Sequence, residues 1–177
     1  MPRPIFRTVS LVVALLAALG CSASALVNIE WRPAQQTVTV GDVVSVSLYL
    51  VADGPANRLV SAMDAVLLWD PGVLGKPTLG PAQPHWLFDG LPAAAGGGTN
   101  TSLVDGNAMY TAWANLGAPV SVSPAGLLCV EFLFPALAAA DSTLITIPES
   151  YNNQAFTTVF DGTKANLDVT GAVGCAQ

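Results

Sequence analysis

The stretch Val60 to Leu74 reads VSAMDAVLLWDPGVL and narrows the possible folds more than any other part of the chain. Its apolar run halts at Asp70-Pro71-Gly72. Proline has no backbone N–H to continue a ladder, and glycine reaches backbone conformations closed to other residues, so the tripeptide marks a turn. A period of two sets Met63, Ala65, Leu67 and Trp69 on one side of a strand and Asp64, Val66, Leu68 and Asp70 on the other. The first side has the composition of a core. The second mixes carboxylates with aliphatic groups and leaves two readings open. Either the strand is buried on both sides of a sandwich with Asp64 at its edge, or its second side faces outward and meets another molecule.

The same alternation recurs along the chain. Val43 to Ala52 is the clearest case, with Val44, Val46, Leu48 and Leu50 on one face, and Asp53-Gly54-Pro55 ends it. Further strands are predicted over Val27–Trp31, Gly126–Phe134, Thr143–Ile147, Phe156–Phe160 and Leu167–Val173, with a short edge strand around Lys76–Leu79. Thr99–Val104 and Ala108–Leu116 read as a hairpin about Asp105-Gly106. In its second arm Tyr110, Ala112 and Ala114 face one way and Met109, Thr111 and Trp113 the other. Eight or nine strands with no helix longer than a turn predict an all-β antiparallel sandwich. The Pro- and Gly-rich stretch Gly80–Gly98 is an irregular insertion. It holds the aromatic cluster His85-Trp86-Leu87-Phe88, which serves either to plug one end of the sandwich or to carry a ligand.

Residues 1–25 have the form of a secretory signal peptide: Arg3 and Arg7, the apolar run Leu11–Leu19, and Ala23-Ser24-Ala25 before the cut. A cut at Gly20-Cys21 with lipidation of Cys21 is the alternative. Residues 26–177 then form one domain, and no other stretch is long and apolar enough to cross a membrane. Without Arg3 and Arg7 the domain has four basic and twelve acidic residues, a net charge of −8, which disfavours nucleic acid and anionic membranes. Cys129 and Cys175 can pair in an oxidising compartment or remain buried thiols.

No catalytic set stands out. The single histidine, His85, has no nucleophile elbow to serve, and one histidine with two distant cysteines makes no usual zinc site. The segment Asp161–Asp168 lacks the residue order of a calcium loop and reads as a turn. Asn100-Thr101-Ser102 matches a glycosylation acceptor. No cofactor is indicated.

Several of these segments, taken together, resemble cohesin domains. Gly41-Asp42-Val43-Val44-Ser45-Val46 resembles the G-D-x-V-x-V entry to an early cohesin strand. Met63–Leu74 resembles the strand ending in aromatic-Asp-Pro-x-x-Leu. The strand from Asp105-Gly106 to Trp113, followed by Gly126–Phe132, resembles a later strand pair, and Thr143–Ile147 the T-x-I-x-I strand. The similarity runs over about residues 27–175.

The resemblance implies a nine-stranded jelly roll without catalytic activity, and the signal peptide directs it to the extracellular space or cell envelope. It would bind a dockerin-like module whose calcium is held by the partner, within polysaccharide-degrading assemblies. It implies a docking face built around the central strand and the strand near Gly126. That face would hold Asp64, Val66 and Leu68 with Glu131 and Leu133, Cys129 also pointing outward; Asp64 falls where the family often places an aspartate that hydrogen-bonds the partner. Two other functions fit the same architecture. One is a carbohydrate-binding module using Trp86, Phe88, Tyr110 and Trp113 against polysaccharide, and the other is a structural component of an envelope.

Overall fold

The computed structural model describes residues 26–93, 95–115 and 117–176, without the side chains of 175 and 176, so the signal-peptide segment 1–25 lies outside the described residues. The chain forms β1 (Val27–Arg32), β2 (Val43–Ala52), β3 (Arg58–Leu68), β4 (Thr78–Leu79), β5 (Phe88–Gly90), β6 (Asn107–Trp113), β7 (Val120–Val122) and β8 (Leu127–Pro135). It continues with β9 (Ile145–Thr146), β10 (Ser150–Tyr151), β11 (Ala155–Phe156), β12 (Thr158–Asp161), β13 (Thr170–Val173) and β14 (Cys175–Ala176). Among the described residues the only helical piece is a single turn at Gly96–Gly98.

Two sheets stack face to face. The first has the order β13-β1-β2-β8-β4; the second has β14-β9-β3-β6-β5, with β7 and β12 also paired to β3. Neighbours are mostly remote in sequence (β2 beside β8, β3 beside β6), the crossing pattern of a jelly roll. The pairing is antiparallel except for β1 and β13, which run parallel. The strand count exceeds the eight or nine expected because several pieces are only two residues long.

Alternation places the core as the sequence indicates. Val46, Leu48 and Leu50 of β2 and Met63, Ala65 and Leu67 of β3 are fully or almost fully buried. Aromatic rings join the sheets: Tyr110 of β6 meets Phe132 of β8 edge-on at 5.7 Å, and Trp69 meets Phe134 at 5.4 Å. Such edge-to-face pairs add roughly 0.5–1.5 kcal/mol to what burial supplies. Gly106 seats the start of β6 against the end of β3. Its φ is +82°, and a Cβ there would lie 2.5 Å from the Trp69 carbonyl oxygen, so only glycine fits.

Thr99–Val104 is not the first arm of a hairpin. Asn100 sits in the left-handed region (φ 61°), and its side-chain amide takes the place of a strand. The amide oxygen accepts the Met109 N–H at 2.9 Å, and Nδ2 donates to the Met109 carbonyl at 2.8 Å. With both groups of Met109 satisfied, no extended partner is needed there.

Candidate protein-docking face

The five residues expected to share a docking face lie on opposite sides of the sandwich. Asp64, Val66 and Leu68 belong to β3 of the second sheet, whereas Glu131 and Leu133 belong to β8 of the first. Glu131 and Leu133 look out over the first sheet beside Ser45, whose hydroxyl donates to Glu131. They cannot act together with Asp64 on one partner surface. Cys129 does not point outward either. Leu48 faces Val130 and Tyr49 faces Leu128, so Cys129 is the extra residue of a β-bulge and turns into the core with Val130. Burial pushes its thiol pKa up. The Cys175 side chain, its expected disulfide partner, lies outside the described residues.

Val66 is 0 % exposed although alternation turns it away from the core. Segments from both edges of the second sheet meet over it. From one edge comes the β10–β11 hairpin, a strap whose following residue, Thr157, accepts the Val66 N–H at 3.1 Å and donates to the Pro148 carbonyl. From the other edge comes the Gly96–Gly98 turn. A Cβ on Gly96 would lie 2.5 Å from the Gln154 carbonyl oxygen, and Asn152 Nδ2 donates to the Gly97 carbonyl at 3.0 Å, so strap and turn are clamped together. Leu68 is half-buried between Thr146 and Asn107, on the far side of this cover.

The remaining half of the face is open and ordered in rows by the strand register. One row runs Phe160, Ala62, Trp113, Phe88 across β12, β3, β6 and β5. The next runs Thr158, Asp64, Thr111, Gly90. Trp113 is 40 % exposed and stacks on Phe88 with ring centroids 4.1 Å apart and planes 16° from parallel. The Thr111 hydroxyl donates to Asp64 Oδ1 at 2.6 Å. Burial raises the Asp64 pKa, opposed by that hydrogen bond, which favours the ionised form.

Two of the four aromatics expected to form a sugar platform are not on the surface. Trp86 is buried in the core cluster, whereas its neighbour Leu87 is exposed and Phe88 lies on the outer face, so the aromatic cluster is divided between core and surface. Tyr110 lies between the sheets and donates to the Cys129 carbonyl at 3.2 Å. Phe88 and Trp113 remain, stacked on each other so that each ring gives up one face. Alternation had already grouped Thr111 with Trp113. That Ala62, Thr158 and Phe160 join them depends on pairings between distant strands, for which the sequence carries no local signal.

Among the described residues, no group of three or more His, Cys, Asp or Glu is gathered as a metal would need, and no helix is long and apolar enough to cross a membrane.

No family model and no curated protein sequence matches the chain. Solved structures do. The OlpA cohesin of Clostridium thermocellum, solved with a dockerin, matches with a TM-score of 0.57 at 10 % identity, over 85 % of this chain and 96 % of that one. The sixth cohesin of scaffoldin B from Acetivibrio cellulolyticus, solved with the Cel5 dockerin, matches with a TM-score of 0.57 at 16 % identity, over 86 % and 95 %. A type III cohesin module from the cell-surface anchoring scaffoldin ScaE of Ruminococcus flavefaciens matches with a TM-score of 0.55 at 12 % identity, over 88 % and 87 %. At these identities the likeness is one of fold, and the chain has the fold of cohesin modules.

Proposed function

We propose that this chain is a non-catalytic, exported protein-binding module that docks a dockerin-like partner on the open half of its second sheet. The observation that carries this reading is the exposed Trp113, stacked on Phe88 and set one row from the half-buried Asp64. A large aromatic anchor beside a carboxylate is the composition of a binding hot spot. The likeness to cohesins solved with dockerins supports the same kind of partner. In this reading the partner holds the calcium, residues 1–25 direct export, and the module serves an extracellular polysaccharide-degrading assembly.

The test is retention of recombinant, calcium-loaded dockerin modules on the immobilised mature chain. Retention that a chelator abolishes and that Trp113→Ala removes supports the reading. A panel of dockerins that all pass through unretained overturns it. Retention of insoluble polysaccharide in place of protein points to the carbohydrate reading.

A further inference from the structure

The row Phe160, Ala62, Trp113, Phe88 contains a gap. Trp113 and Phe88 sit on adjacent strands, and their centroid separation of 4.1 Å is close to the spacing between strands. Their ring normals therefore run across the strands, and the free face of Trp113 looks over β3. The next residue in the row is Ala62, which carries only a methyl group and is partly exposed, and beyond Ala62 stands Phe160. Trp113 and Phe160 are two strand spacings apart, roughly 9–10 Å. A planar group touching both rings needs about 7–8 Å at ordinary carbon contact distances. Asp64 follows Ala62 by two residues on the same face of β3, about 6.6 Å along the strand.

Among the described residues no cation pairs with Asp64. Among the described residues the one ion pair is Arg32 with Glu30, on the first sheet. Arg58 opposes Val122, with its Nε buried. Lys76 lies beside the short β4, paired to the first sheet. Lys164 belongs to the turn closed by Asp161. The charged group at the far end of the row is another acid, Asp168, which opposes Phe160. Oδ1 of Asp64 takes the Thr111 hydroxyl, and the face around it is half-buried and partly stripped of water.

We propose that this slot, floored by Ala62, walled by Trp113 and Phe160 and ended by Asp64, receives an arginine side chain from the docking partner. Arginine fits on three counts. Its flat guanidinium stacks between rings where an ammonium does not, its fork matches a carboxylate, and its charge complements an acidic module. The proposal rests on the docking reading above and names the chemistry by which that face would select its partner.

The test uses the mature chain and two small probes, N-acetyl-arginine amide and its neutral counterpart N-acetyl-citrulline amide. The readout is the Trp113 indole N–H resonance. Arginine amide is expected to shift it saturably and citrulline amide at least tenfold more weakly. Asp64→Asn is expected to weaken the arginine response at least tenfold, and Ala62→Leu to abolish it while the rest of the spectrum stays native. Equal responses to the two probes, or an unchanged response in both variants, overturn the proposal. A dockerin retained equally by the parent and both variants overturns the slot and leaves the docking reading standing. A chain that takes arginine amide as described but retains no dockerin keeps the slot and loses the docking reading.

Discussion

The backbone N–H of Val66 is satisfied by the side chain of Thr157, at 3.1 Å, and not by a neighbouring strand. β12 pairs with β3 up to Asp64, and β9 pairs with it at Leu68. The interval between is bridged by one hydroxyl, which also bonds the Pro148 carbonyl. Thr157→Val keeps the shape and removes the oxygen, leaving a buried donor unpaired. The expected cost is about 1–3 kcal/mol in urea unfolding. A loss below roughly 0.5 kcal/mol, within the scatter of neutral substitutions, would mean that water replaces the hydroxyl.

Asp64 is held at a disadvantage by its own fold. Its pKa is raised by burial, so the native state binds the proton more readily than the unfolded chain, and stability grows as pH falls toward the ordinary carboxylate range. At neutral pH the ionised group opposes folding. Asp64→Asn, which still accepts from Thr111, should therefore unfold at an equal or higher temperature at pH 7. Its advantage over the parent should shrink on acidification, while partner binding weakens. A variant less stable at pH 7 than at pH 4, each relative to the parent, would show that the carboxylate supports the fold.

Trp113 contributes little to the core because its outer side is in solvent. Trp113→Ala is expected to cost about 1 kcal/mol or less in stability but at least about 2 kcal/mol in partner affinity, the signature of an anchor. Calorimetry on the complex and thermal unfolding of the free chain separate the two quantities. Equal losses in both would reduce Trp113 to a packing residue.

His85 packs edge-on against Trp86 at 5.2 Å, and its Nε2 is buried without a partner among the described residues. Burial lowers its pKa below the ordinary histidine value of 6.5, against smaller opposing contributions from the Leu128 backbone and Asp89. The unfolded chain then takes the proton more readily, and stability falls as pH drops below about 6.5. Melting temperatures between pH 7 and pH 5 should fall more steeply for the parent than for His85→Gln. Parallel curves would place the imidazole in water.

The Asn100 amide stands in for a strand beside Met109 through two hydrogen bonds. Asn100→Ala removes both, together with the bond from Nδ2 to the Pro92 carbonyl at 2.8 Å, and leaves three backbone groups without that partner, at an expected cost of about 2–4 kcal/mol in urea unfolding. The same engagement makes this asparagine a poor glycan acceptor in the folded chain, whatever its sequence context.

Much of the sandwich was legible because alternation is a local property. Val46, Leu48 and Leu50, and likewise Met63, Ala65 and Leu67, face inward as their spacing demands. What escaped depended on remote parts of the chain. Val66 follows the same alternation as Asp64, yet a hairpin some ninety residues later covers it. Cys129 follows the alternation of Glu131 until a bulge reverses it. Glu131 and Leu133 do face outward, but no periodicity states to which sheet a strand belongs. Tyr110 and Trp113 share a strand and oppose each other across it, so a platform containing both was excluded by the alternation itself.

The parallel pairing of β1 with β13 has a mechanical consequence. Val27 donates to the Val169 carbonyl at 2.8 Å, Gly174 donates to Ile29 at 2.9 Å, and the Ala172 N–H reaches the Asn28 side chain at 2.8 Å. A pull applied through the two ends of the domain drags these adjacent strands in opposite directions along their length. Every bond between them is then loaded at once, in shear, and none can be unzipped ahead of the others. A domain tethered at both ends in this way resists stretching at the seam where its first and last long strands meet.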